Sequence, residues 1–406
     1  MTDPLFTLLP GALSAQHIPT LGVMGGGQLG RMFVQVAQRM GYRAVVLEPD
    51  ARSPAAEASS LHINAAYNDA EGLTALAQAA DAITCEFENV PAFSLRSLAQ
   101  TRPVAPAADC VAIAQDRLAE KTHFLRTAQA SGVGPAPYAA ISTAEQAAQA
   151  DAALFPAILK TVRMGYDGKG QARVGSPADL PKAWQGLGSV ACVLEKMLDL
   201  QAECSVIVAR GRDGNMVHLP LQLNTHHNGI LSMTAVYADS LPEALKVQAI
   251  RAAKFIAQEL HYVGVLCVEF FVVKAADGSS QLVVNEMAPR PHNSGHWSMD
   301  ASDICQFELQ VRTLAGLPLV QPRQHSAAVM LNILGDSWLH AGDKAQTPPW
   351  DQVLALPGVH LHLYGKLEPR AGRKMGHITF TAANGQLAMA SAQRAAAILQ
   401  LQGVAF

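Results

Sequence analysis

Charge is scarce in this sequence. Lysine, arginine, aspartate and glutamate make up 16% of its 406 residues, and the aromatic residues only 6%. A formal net charge of −3 leaves neither a polybasic surface nor an acidic tail, which excludes a general nucleic-acid binder. Cysteine is sparse as well. The six residues Cys85, Cys110, Cys192, Cys204, Cys267 and Cys305 form no C-x-x-C, so the sequence offers neither a zinc ribbon nor a dithiol redox motif. Most lie in apolar runs, which points to buried free thiols in a reducing compartment. No apolar run approaches the roughly 20 residues that span a bilayer. Leu5 to Ala15 is weakly apolar but lacks a basic flank and contains Pro10, so residues 1–17 read as an N-terminal extension and not as a signal peptide. The expectation is a cytoplasmic chain of about two to four domains with no membrane association. Scarce charge still leaves room for an anionic small substrate held by a few local cations.

What is present is organised. From Thr20 an apolar strand, a glycine cluster, a helix to Met40 and a strand at Ala44–Leu47 make a β-α-β unit. A later strand at Ala82–Thr84 runs into Glu86-Phe87-Glu88. Strands alternating with helices predict an α/β domain on a parallel sheet, over residues 18–115. Asp116 to Ser131 reads as a linking helix stopped by Gly132 and Pro135. A small unit over 116–190 holds the strand Ala157–Thr161 and the loop Gly165-Tyr166-Asp167-Gly168-Lys169-Gly170. A larger α+β unit over 191–322 has two long hairpins turning at Asp213-Gly214 and Asp277-Gly278. It also has helices over Pro242–Leu260 and Asp303–Leu314. A β-rich unit over 323–406 closes the chain, with strands near Val329–Leu334, Val359–Tyr364 and His377–Phe380.

Four features carry chemistry. Gly25-Gly26-Gly27-Gln28-Leu29-Gly30 fits G-x-G-x-x-G between a strand and a helix, and Glu48 ends the next strand. This is either a dinucleotide site with an acid for a ribose, or a tight turn and no more. Second, a two-residue turn at Asp277-Gly278 would set 276 against 279, 273 against 282, and Glu269 against Glu286. Two acids opposed inside apolar strands either share a proton or hold a cation; with another register, one of them simply faces solvent. Oxygen ligands suit Mg²⁺, and Asn285, which alternation puts on the opposite face, could turn an oxygen to a second metal at the strand end. The segment after it contains Arg290, His292, Asn293 and His296. His292 and His296 have the spacing of a helical zinc pair, but Pro291 and Gly295 oppose a helix, so zinc is the lesser reading. Third, Lys160 ends an apolar strand and needs an anion, or snorkels to the surface. Lys169 sits in the glycine-rich loop, whose N–H groups can cover phosphates. Glu195 and Glu203 bracket a strand junction, where an acid takes a ribose hydroxyl or simply a turn position. Fourth, Lys366, Arg370, Arg373 and Lys374 concentrate cations near the C-terminus, which suits a phosphate ligand or simply a solvated basic loop.

In order, Gly25–Met32, Glu86-Phe-Glu-Asn-Val90, Gly165–Gln171, Asn285–Trp297 and Gly372-Arg-Lys-Met-Gly-His377 resemble the N5-carboxyaminoimidazole ribonucleotide synthase family. The resemblance implies an ATP-grasp fold, typically homodimeric. It also implies ATP- and bicarbonate-dependent carboxylation of 5-aminoimidazole ribonucleotide through carboxyphosphate, in purine biosynthesis. By matched position, Arg117, Lys160, Gly165 to Gln171, Glu195, Lys196, Met197, Leu198, Glu203, His226, Asn285 and Glu286 resemble the ATP set. Glu269 and Glu286 match magnesium ligands, where Mn²⁺ can substitute. Gln28, Leu29 and Glu86 resemble ribonucleotide contacts, and Lys366, Arg373 and Lys374 a 5′-phosphate clamp. Asp167, Lys169, Arg290, His292 and Asn293 resemble the catalytic set on the bicarbonate and amine side. One departure is Leu223-Asn-Thr-His226, where the family often has Glu first. The competing readings are a formate-dependent glycinamide ribonucleotide transformylase-like ligase, an NAD-dependent oxidoreductase and a non-catalytic nucleotide sensor.

Overall fold

The structure, a computed structural model, describes residues 6–11, 17–163, 170–238, 240–275, 277–339 and 345–404. The first sheet is parallel, with order β3-β2-β1-β4, from β1 (Thr20–Met24), β2 (Arg43–Leu47), β3 (Leu61–Ile63) and β4 (Ala82–Cys85). Its inner strands are buried on both faces, which is why they read as unbroken apolar runs. The helix Gln28–Arg39 turns Leu29, Met32, Phe33, Val36 and Ala37 inward, an i, i+3, i+4 stripe. That stripe shares a core with Phe307, Val311 and Leu314 of the helix Gln306–Ala315. This second helix starts three residues later than expected, because the Asp303 carboxylate is engaged elsewhere, accepting from Arg323 N–H at 2.7 Å.

The linking helix spans Arg117–Ser131. Asp116 caps it, accepting from the N–H groups of Leu118 and Ala119 at 3.1 Å, and Gly132 ends it at φ +74°. Its buried face is unusual: Glu120, Lys121, His123 and Thr127 lie there beside Phe124. The second sheet is antiparallel, with order β5-β8-β6-β7, from β5 (Tyr138–Ile141), β6 (Ala157–Thr161), β7 (Gln171–Val174) and β8 (Cys192–Lys196). The glycine-rich segment falls between β6 and β7 in the sequence. Glu195 lies within β8 and not at its end.

The third sheet is the largest. Its strands are β9 (Leu200–Arg210), β10 (Met216–His218), β11 (Gln222–His227), β12 (Ile230–Val236), β13 (Gly264–Lys274), β14 (Ser280–Ala288), β15 (Ala327–Leu334), β16 (Val359–Leu363) and β17 (Lys374–Ala382). They run in the order β14-β13-β9-β11-β12-β15-β17-β16, with β10 on β9. The hairpin at Asp213-Gly214 is therefore short on its return side, and Glu203 lies inside β9. The last three strands do not form a sheet of their own, since β15 pairs with β12. The helix Gly385–Ile398, which the sequence reading missed, covers this end with Ala388, Ala392 and Ala395.

The β13–β14 register needs a correction. Val272, not Val273, faces Leu282, because three residues rather than two separate the paired Ala275 and Ser279, with Gly278 at φ +84°. A bulge between Glu269 and Phe270 then restores the count, so Glu269 faces Glu286 as expected. Two one-residue offsets cancel. The expected partner of 279, residue 276, lies outside the described residues.

Candidate active site

The glycine loop after β1 is filled from within. Gly27 N–H and Gly30 N–H donate to the two Glu86 oxygens at 2.7 and 2.9 Å. A Cβ at Gly27 would sit 2.5 Å from Glu86 Oε1, and one at Gly25 2.3 Å from Glu86 Cγ. The glycines let a carboxylate of the same chain dock on the helix N-terminus, where a dinucleotide pyrophosphate would otherwise lie. Glu48 turns inward too, accepting from Tyr67 O–H and from Asp50 N–H. Both observations remove the basis of the oxidoreductase reading. Leu29 is buried in the core, so only its backbone can meet a ligand, whereas Gln28 is half-buried beside it.

The acidic pair sits among cations. Glu286 lies 3.1 Å from Arg117 Nη1, and Glu269 lies 2.9 Å from His292 Nε2. Burial opposes the Glu269 charge, but His292 outweighs it and holds the carboxyl at about 2. Burial pulls His292 down in turn, while Cys267 and Glu269 raise it to about 10. Glu203 pairs with His226 at 2.9 Å, and the field of Glu269 also reaches His226. Asn285 is the extra residue of the bulge, and its buried Oδ1 has no hydrogen-bond partner among the described residues. The Asn293 amide likewise has neither atom partnered there. His292 and His296 do not form a helical pair: Asn293–Gly295 is a single 3₁₀ turn. His296 is buried, bonded to Gln306 at 2.9 Å and stacked on Phe307.

A second group forms on the small sheet. Glu195 accepts from Lys160 at 3.1 Å and lies 3.2 Å from Lys121, a lysine only 1% exposed. The anion Lys160 needs is thus supplied by the chain itself. Burial opposes the Glu195 charge, but the two lysines win and its carboxyl is lowered. Sequence reasoning missed Lys121 and Glu120, though a signal existed. Arg117, Glu120, Lys121 and Phe124 share the i, i+3, i+4, i+7 face of a helix, where only an apolar residue packs without a partner. Lys196, Met197 and Leu198 lead from β8 toward β9. Met197 N–H bonds Pro156 O at 2.8 Å, which ties that crossing to the small sheet. Gly165, Tyr166, Asp167, Gly168 and Lys169 lie outside the described residues. Gly170 accepts from Thr161 N–H at 2.9 Å, and Gln171 faces Lys160 across β6–β7.

Arg290 is bound 2.5 Å from Glu88 of the first domain. Burial opposes the Glu88 charge, but Arg290 overcomes it and holds the carboxyl at about 2. Lys366 donates to Lys374 O at 2.7 Å, and Arg373 to Glu368 O at 2.7 Å, so the C-terminal cations brace one loop. Gly365, at φ +76°, lets that loop approach Arg31, whose Nη1 would be 3.1 Å from a Cβ there. Arg31 is a further cation at this place that sequence reasoning did not single out. Leu223, where the resemblance has Glu, packs against the core under the last helix, so its strand keeps an apolar role at that position.

Comparison with known proteins accords with this geometry. Residues 18–115 match the ribonucleotide synthetase preATP-grasp domain, 126–307 the ATP-grasp domain and 328–391 the phosphoribosylaminoimidazole carboxylase C-terminal domain. The N5-carboxyaminoimidazole ribonucleotide synthase of Brucella melitensis is 44% identical over 367 residues, covering 89% of this chain and 95% of its own. A crystal structure of an N5-carboxyaminoimidazole ribonucleotide synthetase with ADP has a TM-score of 0.86 at 37% identity, covering 98% of this chain and 99% of that one. The Aspergillus clavatus synthase in complex with ADP and 5-aminoimidazole ribonucleotide has a TM-score of 0.82 at 28% identity, covering 94% and 98%. The chain belongs to the N5-carboxyaminoimidazole ribonucleotide synthase family of ATP-grasp enzymes.

Proposed function

We infer that the chain is an ATP-dependent carbon–nitrogen ligase that carboxylates the exocyclic amine of 5-aminoimidazole ribonucleotide in purine biosynthesis. In the proposed route a bicarbonate oxygen attacks the γ-phosphorus of ATP, ADP leaves, and carboxyphosphate forms. The amine then attacks the carboxyl carbon, phosphate leaves, and the nitrogen gives up a proton. The observation that carries this reading is Glu269 facing Glu286 beside Arg117 and His292. These carboxylates and the partnerless Asn285 Oδ1 are an all-oxygen set that fits Mg²⁺, or Mn²⁺ in its place. When bound there, the ion supplies charge neutralisation to phosphoryl oxygens.

The chain's own residues do the rest. Arg117, Lys160, Glu195–Leu198, Glu203 and His226 bind ATP, and Lys121 holds Glu195 from behind. The loop 165–171 closes over the phosphates and keeps water from a readily hydrolysed intermediate, with Lys169 and Asp167 acting from it. Arg290, His292 and Asn293 hold bicarbonate and orient the amine. Gln28, Leu29 and Glu86 meet the ribonucleotide. Lys366, Arg373 and Lys374, joined by Arg31, hold its phosphate. We extend the proposal to a cytoplasmic homodimer, which sedimentation tests by mass.

Phosphate release from ATP is expected to need both 5-aminoimidazole ribonucleotide and bicarbonate for its full rate. No stimulation by the ribonucleotide would overturn the proposal, as would turnover with formate and glycinamide ribonucleotide in their place. With ¹⁸O-bicarbonate, the released phosphate is expected to contain label; unlabelled phosphate removes carboxyphosphate from the route. For Arg373→Ala we expect the ribonucleotide KM to rise about 10- to 100-fold, the equivalent of one charge-assisted hydrogen bond of roughly 1.5–3 kcal/mol. The ATP KM should stay nearly constant, and an equal rise in both would move Arg373 out of the clamp.

A further inference from the structure

On the edge strand β16 stands His360-Leu361-His362, and His362 lies directly opposite His377 of β17. The short helix Ser298–Ala301 brings Asp300 to the same place. Its carboxylate oxygens lie 2.9 and 3.1 Å from His362 Nε2, and Oδ1 lies 3.7 Å from His360 Nδ1. One ligand atom from each of Asp300, His362 and His377 falls within 4.8 Å of the other two.

His377 adds a second observation. Its ring is completely buried, and Nδ1 shares a 3.0 Å hydrogen bond with the Tyr364 hydroxyl. Its Nε2 has no hydrogen-bond partner among the described residues. A buried ring nitrogen left alone is costly, and a polar group in that position generally has a ligand or water to answer it. The Tyr364 bond is the kind of outer contact that fixes the ring of a metal-bound histidine.

The donors are two imidazoles and one carboxylate, with a third imidazole at the rim. That set suits a borderline first-row ion such as Zn²⁺. It does not suit Mg²⁺, which takes oxygen ligands. None of these residues belongs to the ATP, magnesium or ribonucleotide sets above. We propose that Asp300, His362 and His377 form a transition-metal site that takes Zn²⁺, with His360 as an additional donor beside it. The rings of His362 and His377 now stack at 4.5 Å with planes 15° apart. Two lone pairs converge on one ion only if a ring turns, and His362 is the ring with room. Its side chain is 26% exposed on an edge strand, while His377 is locked by Tyr364. The bound ion ties the helix after the Arg290–His296 segment to the two strands that flank the phosphate-clamp loop.

The test uses the full chain, stripped with EDTA and then dialysed against Zn²⁺ with Mg²⁺ in large excess to occupy the acidic site. Elemental analysis is expected to find one equivalent of zinc in the wild type and none in Asp300→Asn/His362→Gln. The wild type should also melt higher with zinc, and the variant should not. Equal zinc content or equal melting shifts in the two proteins would overturn the site, as would no retained zinc in either. If the double variant does not fold, Co²⁺ added to the wild type decides. A visible d–d absorption that disappears on adding Zn²⁺ supports the site, and its absence overturns it.

Discussion

Replacing Glu286 by alanine is expected to reduce turnover by about 10³-fold or more, the scale of losing a group that fixes charge on a transferring phosphoryl. Glu286 faces Glu269 across β13–β14 and lies 3.1 Å from Arg117. Its removal takes one of two opposed carboxylates from the proposed cation site and deprives the Arg117 guanidinium of its 3.1 Å partner. The fold itself should tolerate the change. Glu286 is 41% exposed, and Glu120 stands ready on the neighbouring helix. Burial, and then the Glu286 charge, hold Glu120 up at about 8. Without Glu286, that acid ionises more readily and balances Arg117. A Mg²⁺ titration of phosphate release separates the outcomes. The wild type should saturate with Mg²⁺ and the variant should show no dependence. A variant with wild-type Mg²⁺ response would place the ion elsewhere.

Glu88→Gln should destabilise the protein by about 1–3 kcal/mol, less than the roughly 3–5 kcal/mol for breaking a fully buried ion pair, because the Glu88 and Arg290 side chains are 29% and 17% exposed. Arg290 keeps its charge in a partly buried site, and its 2.5 Å partner becomes neutral. The same pair predicts acid sensitivity. The Glu88 carboxyl is held at about 2 in the folded chain, below its ordinary value of 4.5. A depressed carboxyl stabilises the fold fully above the unfolded value, and that contribution is lost as pH falls from about 4.5 toward 2. Denaturant melts at neutral pH and in this acid window should therefore converge for wild type and Glu88→Gln as pH drops. A constant difference across the window would show that the pair does not titrate with folding. Because Arg290 belongs to the proposed bicarbonate set, the variant should also lose turnover at neutral pH.

How much of this was legible beforehand depends on which physics set each feature. Three strands of the parallel sheet, the helix after Asp116 and the strand carrying Lys160 follow from local pattern nearly to the residue, whereas the short, half-exposed edge strand Leu61–Ile63 has too little pattern to show. The Glu269–Glu286 pairing was also read, yet through a turn of the wrong length offset by an unforeseen bulge. Register errors are invisible in alternation when both faces are buried. Glu86 on the glycine loop could not be foreseen from the loop itself, since its docking depends on where β4 ends in space. Lys121 and Glu120 were overlooked because charge on a helix is assumed to face water. Their positions on the inward stripe beside Phe124 were the missed signal. The joining of β15 to β12 is a long-range pairing with no local trace.

That joining has a mechanical consequence. The hairpin with the two acids is at one border of the large sheet and the strands flanking the cationic loop are at the other. One unbroken hydrogen-bond ladder connects them, so the distance between the acidic hairpin and the cationic loop is set by a stiff beam. The four-stranded sheet holding Lys160 is a separate plate, joined to the rest through residues 132–137 and through the crossing after Lys196. A movement of that plate alone would leave the spacing between the acidic hairpin and the cationic loop unchanged.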